Sequence, residues 1–317
     1  MRKVLLLTPK NSSFRKPLLE AFRKLGWEVK EFDYRKGDIF IRIFRFLPVI
    51  GGFEKAQKKV GAKIVAISKK FDPNLILTTK GESLDKETIS KLKNKRVRIA
   101  NWFPDPMNFW ELMNKIAPYY DVFFHFDPLI VRKLKKSGHK NIKYLPFASE
   151  IQGKKNLQKE YDISFVGTYS KDREKKLSCL TEFNLNIWGD PRWFDSSLKR
   201  FVRGGRIHQD KMKKIIQKSL LNINIHYNAP REGANLRTFE TTGCGGFLLT
   251  DYVRALENLF KIDRDIVCYS SLREMKSKVR YFLKNDKRRN KIALQGYKRS
   301  KKNHDYSKRV KQLLNHI

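Results

Sequence analysis

The sequence predicts an α/β protein made of two doubly wound domains with parallel sheets, and three observations indicate this. The chain opens with a β-α-β series, in which the apolar run Val4 to Leu7 precedes a helical pattern closed by Gly26 and an alternating strand over Trp27 to Phe32. A second series begins with a strand over Asp162 to Val166. Between them, residues 146–160 lose the apolar period and gain Gly, Lys and Gln, as interdomain linkers do.

The domain limits follow from this division. We expect an N-terminal domain over residues 1–150 and a C-terminal domain over residues 151–300, with the linker at about 148–160. A last helix is expected over residues 301–317. A chain of 317 residues is long enough for each domain to bury a core of its own.

In the first half, helical and strand patterns continue to alternate. The predicted elements are a helix over Phe53 to Phe71, a strand over Leu75 to Thr78, a helix over Leu84 to Leu92, strands over Val97 to Trp102 and Asp121 to His125, a helix over Pro128 to Ser137 and a strand over Ile142 to Leu145. The loop after the first strand has no GxGxxG sequence, which argues against a dinucleotide-binding protein.

Two residues at strand ends of this half are candidate catalytic groups, because parallel sheets bind ligands beyond the carboxyl ends of their strands. Asp105 follows a strand in the segment NWFPDP and is suited to binding a ligand hydroxyl or acting as a base. The alternative is a helix N-cap ahead of Pro106. His125 ends its own strand, and its alternative is a histidine with purely structural hydrogen bonds.

The second half begins with a strand, a turn and a helix N-terminus. Gly167 and Thr168 form the turn, and Arg173 lies in the first turns of the helix that starts at Lys171. This combination is typical of an anion cradle, while the alternative for Arg173 is a solvated surface residue. The later predicted elements are a strand over Leu185 to Trp188, a helix over Asp210 to Leu220, strands over Asn222 to His226 and Ile266 to Tyr269, and helices over Leu272 to Leu283, Lys287 to Ser300 and Tyr306 to the end.

The charge of the chain points to anionic partners. Lys and Arg number 69 against 32 Asp and Glu, which gives a formal net charge of +37. Nucleic acid, an acidic membrane surface and phosphorylated small molecules all fit this charge. Because the basic residues are spread along the chain without a nucleic-acid-binding signature, an enzyme is favoured and nucleic acid is an unexpected partner.

Cysteine usage and hydropathy indicate the compartment. Cys179, Cys244 and Cys268 are far apart and odd in number, with no Cys/His ligand pattern, so we expect neither a disulfide framework nor a metal site. The start MRKVLLLTPK has too short an apolar run for a signal peptide, and no run reaches the length of a membrane span. We therefore expect a cytoplasmic protein.

One stretch suggests peripheral attachment to a membrane. Residues 39–53 read IFIRIFRFLPVIGGF, with aliphatic and aromatic residues on one helical stripe and interleaved arginines. The first interpretation is a core helix with snorkelling arginines. The second is a segment that lies on the anionic inner face of a membrane, as an enzyme acting on a lipid-linked acceptor would need.

The most informative stretch is REGANLRTFETTGCGGFLLTD, residues 231–251. Asn235 can cap a helix over Leu236 to Thr242, and Phe247 to Asp251 has the pattern of a buried parallel strand. The loop then offers backbone N–H groups at a helix N-terminus beside Glu232, with Glu240 further along the helix. Such a site suits a phosphate together with a polyhydroxyl group. The alternative is that Glu240 only pairs with Arg237 on the helix surface.

The longer pattern resembles a family. Glu232 and Glu240, eight residues apart and followed by a small-residue turn and an apolar strand, resemble the donor-site motif of retaining glycosyltransferases with two Rossmann-like domains, the GT-B architecture. More narrowly, the strings RTFE, CGGFLLTDY, LENLF and RRNKIALQGY resemble the spore-maturation (CgeB-like) branch. The resemblance covers most of the chain and is most specific in its second half.

The resemblance implies a function and roles for these residues. Glu240 would hold the ribose hydroxyls of a nucleotide-sugar donor, and Glu232 would address the donor sugar. Other donor-binding residues would be Gly233, the backbone at Asn235 and Leu236, Arg237, Gly167, Thr168 and Arg173, with the basic groups facing the diphosphate. The loop reads ANLRT where the family more often has FGLPP, which puts the exact phosphate contacts in doubt.

The family also implies the reaction and the course of the chain. The expected reaction is transfer of a hexose-type sugar from a nucleotide diphosphate, with UDP chosen for its frequency, to a glycan, protein or lipid-linked acceptor. Retention of configuration and a last helix that crosses back to the N-domain are expected. GT-B enzymes generally work without a metal ion, so the resemblance implies neither a metal nor a cofactor. The alternatives are a non-catalytic nucleic-acid or acidic-polymer binder on the same fold and a phosphorylase-type enzyme.

Overall fold

The computed structural model describes residues 1–35, 52–153, 157–207 and 209–317. Residues 39–51 of the candidate membrane-binding stretch lie outside these described residues. The chain forms two compact units. Unit 1 consists of Met1–Pro146 together with Tyr306–Ile317, and unit 2 consists of Phe147–Asp305.

Six parallel strands form the sheet in the described part of unit 1, in the order β2-β1-β3-β4-β5-β6. They are β1 (Lys3–Leu7), β2 (Glu28–Phe32), β3 (Leu75–Thr79), β4 (Arg98–Phe103), β5 (Val122–His125) and β6 (Ile142–Tyr144). The helices between them are α1 (Arg15–Lys24), α2 (Gly52–Phe71), α3 (Lys86–Leu92), α4 (Trp110–Ile116) and α5 (Pro128–Lys136).

The strands at the centre of this sheet are buried along most of their length. Val4 to Leu7 are 0% exposed, and every residue of β3 is buried. Helices cover both faces of a parallel sheet, so its central strands need no polar side. The edge strand β2, with the sequence EVKEF, is half-buried instead.

Unit 2 contains a second parallel sheet, whose strands have the order β12-β11-β10-β7-β8-β9 in the described residues. The strands are β7 (Tyr161–Val166), β8 (Leu185–Trp188), β9 (Val202–Gly204), β10 (Ser219–Asn224), β11 (Leu248–Asp251) and β12 (Val267–Tyr269). The helices are α6 (Lys171–Ser178), α7 (Gln209–Lys218), α8 (Leu236–Gly243), α9 (Leu256–Leu259), α10 (Leu272–Lys284) and α11 (Asp286–Asn303).

The last helix, α12 (Tyr306–Leu314), belongs to unit 1 although it follows the whole of unit 2. It packs against α1, and its buried residues include Tyr306, Val310 and Leu313. The ring of Tyr306 lies 6.5 Å from that of Trp102 at the end of β4. The expected return of the last helix to the N-terminal unit is thereby confirmed, as is the fold of two parallel α/β sheets.

The predicted boundary between the helix over Asp210 to Leu220 and the strand over Asn222 to His226 was wrong. The sequence pattern extended a helix to Leu220, but α7 ends at Lys218 because Ser219 already pairs with Tyr161 of β7. The strand begins three residues before its predicted start at Asn222. In the described residues, no helix combines the length and apolar character needed to cross a membrane.

Candidate active site

The sheet of unit 2 has its switch point between β7 and β10. The chain runs from β7 to β8 and β9 on one side, and then to β10 and β11 on the other. Loops that follow the two central strands therefore diverge and leave a crevice, which is where open parallel sheets bind ligands. Gly167 and Thr168 follow β7, and Ile225 to Tyr227 follow β10.

Arg173 of α6 ties these two strand ends together. Its Nε and Nη2 atoms donate to the carbonyl oxygen of Ile225 at 3.2 and 2.7 Å. Its Nη1 atom donates to the carbonyl and hydroxyl oxygens of Thr168 at 2.9 and 2.8 Å. Arg173 is only 6% exposed, and burial lowers its pKa from the ordinary value. The alternative of a solvated surface arginine is wrong.

Tyr227 covers this arginine from the solvent side. The guanidinium carbon lies 4.5 Å from the centre of the tyrosine ring, and the Tyr227 hydroxyl is 2.7 Å from Oγ1 of Thr168. The ring nevertheless remains 45% exposed. Tyr227 was not predicted as a site residue, although it stands directly after a predicted strand.

The Gly167 turn is held from the side of β8 as well. A Cβ atom on Gly189 would lie 2.0 Å from the carbonyl oxygen of Gly167, so only glycine permits this approach. The same oxygen accepts a hydrogen bond from Nε1 of Trp193 at 2.9 Å. The turn is therefore fixed by its neighbours before any ligand binds.

Helix α8 begins at this edge. The side chain of Asn235 accepts a hydrogen bond from the Thr238 N–H at 3.2 Å, which makes it the predicted N-cap. Its amide group also exchanges hydrogen bonds of 2.9 and 3.0 Å with Asn224 of β10. Nε of Arg237 donates to the carbonyl oxygen of Val166 at 3.3 Å. These contacts bring the first turn of α8 to the ends of β7 and β10.

The two charged candidates on α8 face each other. Nη1 of Arg237 lies 2.7 Å from Oε2 of Glu240, and their side chains are 22% and 16% exposed. This is the ion pair that the surface-pair alternative describes. It lies beside the Gly167 turn rather than on an outer face of the unit, because Arg237 also contacts Val166.

The loop before α8 is anchored on both sides of Glu232. The carbonyl oxygen of Glu232 accepts a hydrogen bond from the Ala255 N–H at 2.9 Å. Nη1 of Arg231 donates to the carbonyl oxygen of Ala229 at 3.0 Å, and Nη2 donates to Asp251 at 3.1 Å. Glu232 is half-buried and Gly233 is buried. Hydrogen bonds therefore fix the loop that is predicted to bind the sugar.

A histidine and an aspartate beneath this loop were not predicted as site residues. Nδ1 of His226 lies 2.6 Å from Oδ1 of Asp251, and Nε2 of His226 accepts the Asn235 N–H at 3.2 Å. Burial acts to raise the pKa of Asp251, but interactions with His226 and Arg231 outweigh it and lower this pKa to about 2. The only sequence signal was that each residue stands at the carboxyl end of a strand.

In unit 1, Asp105 lies at the carboxyl edge of the sheet and forms an ion pair with Lys80, whose Nζ is 2.5 Å from Oδ2. The helical turn that follows is capped by Pro106, so Asp105 is not its N-cap residue. Lys80 has a positive φ of 66°, an uncommon conformation for a residue with a side chain. Its Nζ also lies 4.3 Å from the centre of the Phe109 ring.

His125 is completely buried, and both of its ring nitrogens are used. Nδ1 accepts the Asp127 N–H at 3.0 Å, and Nε2 is 2.9 Å from the carbonyl oxygen of Asp105. Burial lowers the pKa of His125 to about 4, so the ring is neutral at pH 7. These contacts match the structural alternative for His125, and its catalytic role stays a prediction.

In the part of the chain that the structure describes, no three acidic, histidine or cysteine side chains are placed to hold a metal ion.

Comparisons with known proteins bear on this arrangement. Residues 173–315 match the model of a family described as glycosyl transferase-like, and a search of curated proteins found no match. Sucrose-phosphate synthase from Thermosynechococcus elongatus has a similar structure, with 12% identity, a TM-score of 0.73, and coverage of 99% of this chain and 98% of that one.

Two further solved structures share the fold. Anabaena Alr3699/HepE in complex with UDP-glucose has a TM-score of 0.64 at 11% identity, covering 99% of both chains. The lipopolysaccharide outer core galactosyltransferase WaaB also has a TM-score of 0.64, at 12% identity, covering 99% of this chain and 100% of that one. The protein is a glycosyltransferase with the GT-B fold. Its assignment to the CgeB-like branch stays a prediction.

Proposed function

We propose that this glycosyltransferase moves a hexose-type sugar from a UDP-sugar to a glycan, protein or lipid-linked acceptor, and that unit 2 binds the donor. One observation carries the proposal: the first turn of α8 meets the Gly167 turn at the switch point of the sheet. This contact is made by Arg237, whose Nε atom lies 3.3 Å from the Val166 carbonyl oxygen. Glu240 therefore stands beside the predicted phosphate-binding turn.

The diphosphate would bind at the N-terminus of α8. The N–H groups of Leu236 and Arg237 have no acceptor within the helix, and the helix dipole favours an anion there. The Arg237 guanidinium adds a positive charge. Negative charge grows on the diphosphate as the sugar leaves, so donors fixed at this point lower the barrier more than they tighten binding of the intact donor.

The two glutamates would bind the remaining two parts of the donor. Glu240 would accept hydrogen bonds from the ribose hydroxyls, with its ion pair to Arg237 keeping it ionised and oriented. Glu232 would address the hexose. Arg173, whose guanidinium donates to Thr168 and Ile225, would act by holding the turn in shape.

The choice of UDP is supported by structural neighbours. One of them is described in complex with UDP-glucose, and another is named a galactosyltransferase. Transfer without a metal ion and with retention of configuration is part of the proposal, as the motif of Glu232 and Glu240 resembles that of retaining enzymes. Unit 1 would supply the acceptor side, with Asp105 and its partner Lys80 at the sheet edge.

A cytoplasmic location, with peripheral attachment to the inner face of a membrane, completes the proposal. It rests on the sequence of residues 39–53 and on the net charge of +37. An acceptor linked to a lipid would make such attachment useful, whereas a soluble glycan or protein would not require it.

The test is a thermal-shift screen of UDP-, GDP- and ADP-sugars and the free nucleotides, with and without EDTA. A donor at about 100 times its Kd stabilises the folded state by roughly 2.7 kcal/mol, a clear rise in Tm. We expect this rise with UDP and UDP-hexoses. Stabilisation by polynucleotides and by none of the nucleotides would overturn the proposal. Stabilisation by a UDP-sugar that is lost when EDTA is added would contradict transfer without a metal ion.

A further inference from the structure

We propose that His226 is a positioning residue of the donor site, which fixes the N-cap of α8 by accepting the Asn235 N–H. Asp251 is proposed to set the tautomer of His226 that makes this contact possible. The consequence for catalysis rests on the proposed UDP-sugar transfer, whereas the positioning of the loop rests only on the contacts in unit 2.

The tautomer follows from two contacts of the imidazole. A backbone N–H is always a donor, so Nε2 of His226, at 3.2 Å from the Asn235 nitrogen, carries no hydrogen. The single hydrogen of the neutral ring is then on Nδ1, which donates to Oδ1 of Asp251 across 2.6 Å. His125 in unit 1 has the opposite tautomer, because there Nδ1 accepts a backbone N–H.

The ring has no freedom to choose another arrangement. His226 is 1% exposed, and its own N–H also donates to Asp251, at 3.0 Å from Oδ1. The other tautomer, or a protonated ring, would direct an N–H at the Asn235 N–H, and two donors would face each other. The carboxylate of Asp251 keeps the hydrogen on Nδ1 because it can only accept a hydrogen bond.

The contact decides which N–H groups at the helix start remain for a ligand. The first N–H groups of a helix have no acceptor within it. In α8, the Asn235 N–H is used by His226, and the Thr238 N–H is used by the Asn235 side chain. Leu236 and Arg237 therefore present the two N–H groups suited to a diphosphate, and His226 holds the turn that aims them.

Asp251 joins this arrangement to the other end of the loop. Its Oδ2 atom accepts a hydrogen bond from Nη2 of Arg231 at 3.1 Å, directly before Glu232. One carboxylate thus holds both Arg231 and His226, and through them the start and the end of the segment over residues 231–235. The Asp251 carboxylate therefore supports both the site that we assign to the hexose and the site that we assign to the diphosphate.

The experiment compares three full-length variants. His226→Ala removes the acceptor, and His226→Gln offers an amide oxygen to the Asn235 N–H in its place. Asn186→Ala is the matched control: Asn186 is a buried polar side chain of the same sheet, on β8, that donates to the Ile163 and Asn184 carbonyl oxygens. Each variant is measured by amide hydrogen exchange without nucleotide and by titration with UDP and with uridine.

In His226→Ala we expect faster exchange in the peptide over residues 229–243 and at least about fivefold weaker UDP binding, since a buried hydrogen bond is worth about 1 kcal/mol. Uridine lacks the diphosphate, so its affinity should change less than about twofold. His226→Gln should restore much of the loss, and Asn186→Ala should change neither measurement.

Two results would overturn the inference. One is unchanged exchange over residues 229–243 in His226→Ala. The other is an equal loss of UDP and uridine affinity, which would mark a general disturbance of the fold. If the wild type binds neither ligand while the exchange result is as expected, the positioning of the loop stands and the proposed UDP-sugar function fails.

Discussion

Arg237 and Glu240, one helical turn apart on α8, form an ion pair of 2.7 Å at the carboxyl edge of the unit 2 sheet. The pair holds the carboxylate near the Gly167 turn, because Arg237 also donates to the Val166 carbonyl oxygen. In the proposed function the arginine faces the diphosphate and the glutamate faces the ribose, so one ion pair would orient two contacts to the donor.

Replacing Glu240 by Ala should weaken UDP binding at least tenfold. A carboxylate accepts hydrogen bonds from both ribose hydroxyls, and hydrogen bonds to charged groups are worth about 1.5 to 3 kcal/mol each. Isothermal titration with UDP measures the loss. The control is Glu182→Ala, which removes an exposed carboxylate paired with Lys276 and Arg280 in the same unit. Equal UDP affinity in a folded Glu240→Ala protein would assign Glu240 a structural role.

Replacing Glu232 by Ala should separate binding of the nucleotide from turnover of the donor. We propose that Glu232 addresses the hexose, which free UDP lacks, so the Kd for UDP should stay within about twofold of the wild type. The rate of release of UDP from the intact donor should fall at least tenfold, because an interaction that strengthens in the transition state is lost. A variant with normal turnover would exclude Glu232 from the reaction.

The buried ring of His125 should make the fold sensitive to acid. Its pKa is lowered to about 4, against an ordinary value of 6.5, so between these values the unfolded chain binds a proton that the folded chain does not. Stability should therefore fall as pH drops from 7 to 4, by about 3 kcal/mol for this group. Urea unfolding at pH 7 and pH 4.5 should show a smaller loss in His125→Gln than in the wild type.

The same variant tests the catalytic assignment of His125. Gln retains one donor and one acceptor, so a purely structural ring should be replaced with little change in kcat at pH 7. A fall in kcat of tenfold or more in a variant of normal stability would establish His125 as a catalytic group.

Residues 39–53 should bind acidic liposomes, since each basic residue near an anionic surface contributes about 1 kcal/mol. Inserted aromatic side chains would leave a remainder of binding at high salt, whereas purely electrostatic binding would disappear. Co-sedimentation at low and high salt should show that Phe40→Ser/Phe44→Ser loses the salt-resistant part. Phe194→Ser, which changes a phenylalanine that is 49% exposed in unit 2, is the control. No binding by the wild type at low salt would contradict the prediction.

Local patterns were enough to predict both sheets and the start of α8. Asn235 caps the helix as expected, because its side chain contacts the N–H of a residue three positions away. The pair of His226 and Asp251 was not predictable in this way. The two residues are 25 positions apart, and they meet because β10 and β11 are neighbours in the register that aligns Asn224 with Thr250. Nothing in either local sequence encodes that alignment.

The burial of Arg173 escaped prediction for the same reason. Its local surroundings are charged, with Lys171, Asp172 and Glu174 beside it, and suggest an exposed helix. Its acceptors are the carbonyl oxygens of Thr168 and Ile225, and the second of these is 52 residues away. Every residue has a backbone carbonyl oxygen, so residue type does not indicate which oxygens accept from an arginine. Only the folded sheet shows these contacts.

The return of α12 to unit 1 has a consequence for how the protein is made. Unit 2 is one continuous piece of chain, from Phe147 to Asp305, whereas unit 1 lacks Tyr306, Val310 and Leu313 until the ribosome has passed through all of unit 2. At ordinary rates of translation this takes on the order of 10 to 30 s. During that interval the surface of α1 that α12 later covers is open to chaperones, and unit 2 is the first part of the nascent chain that can finish folding.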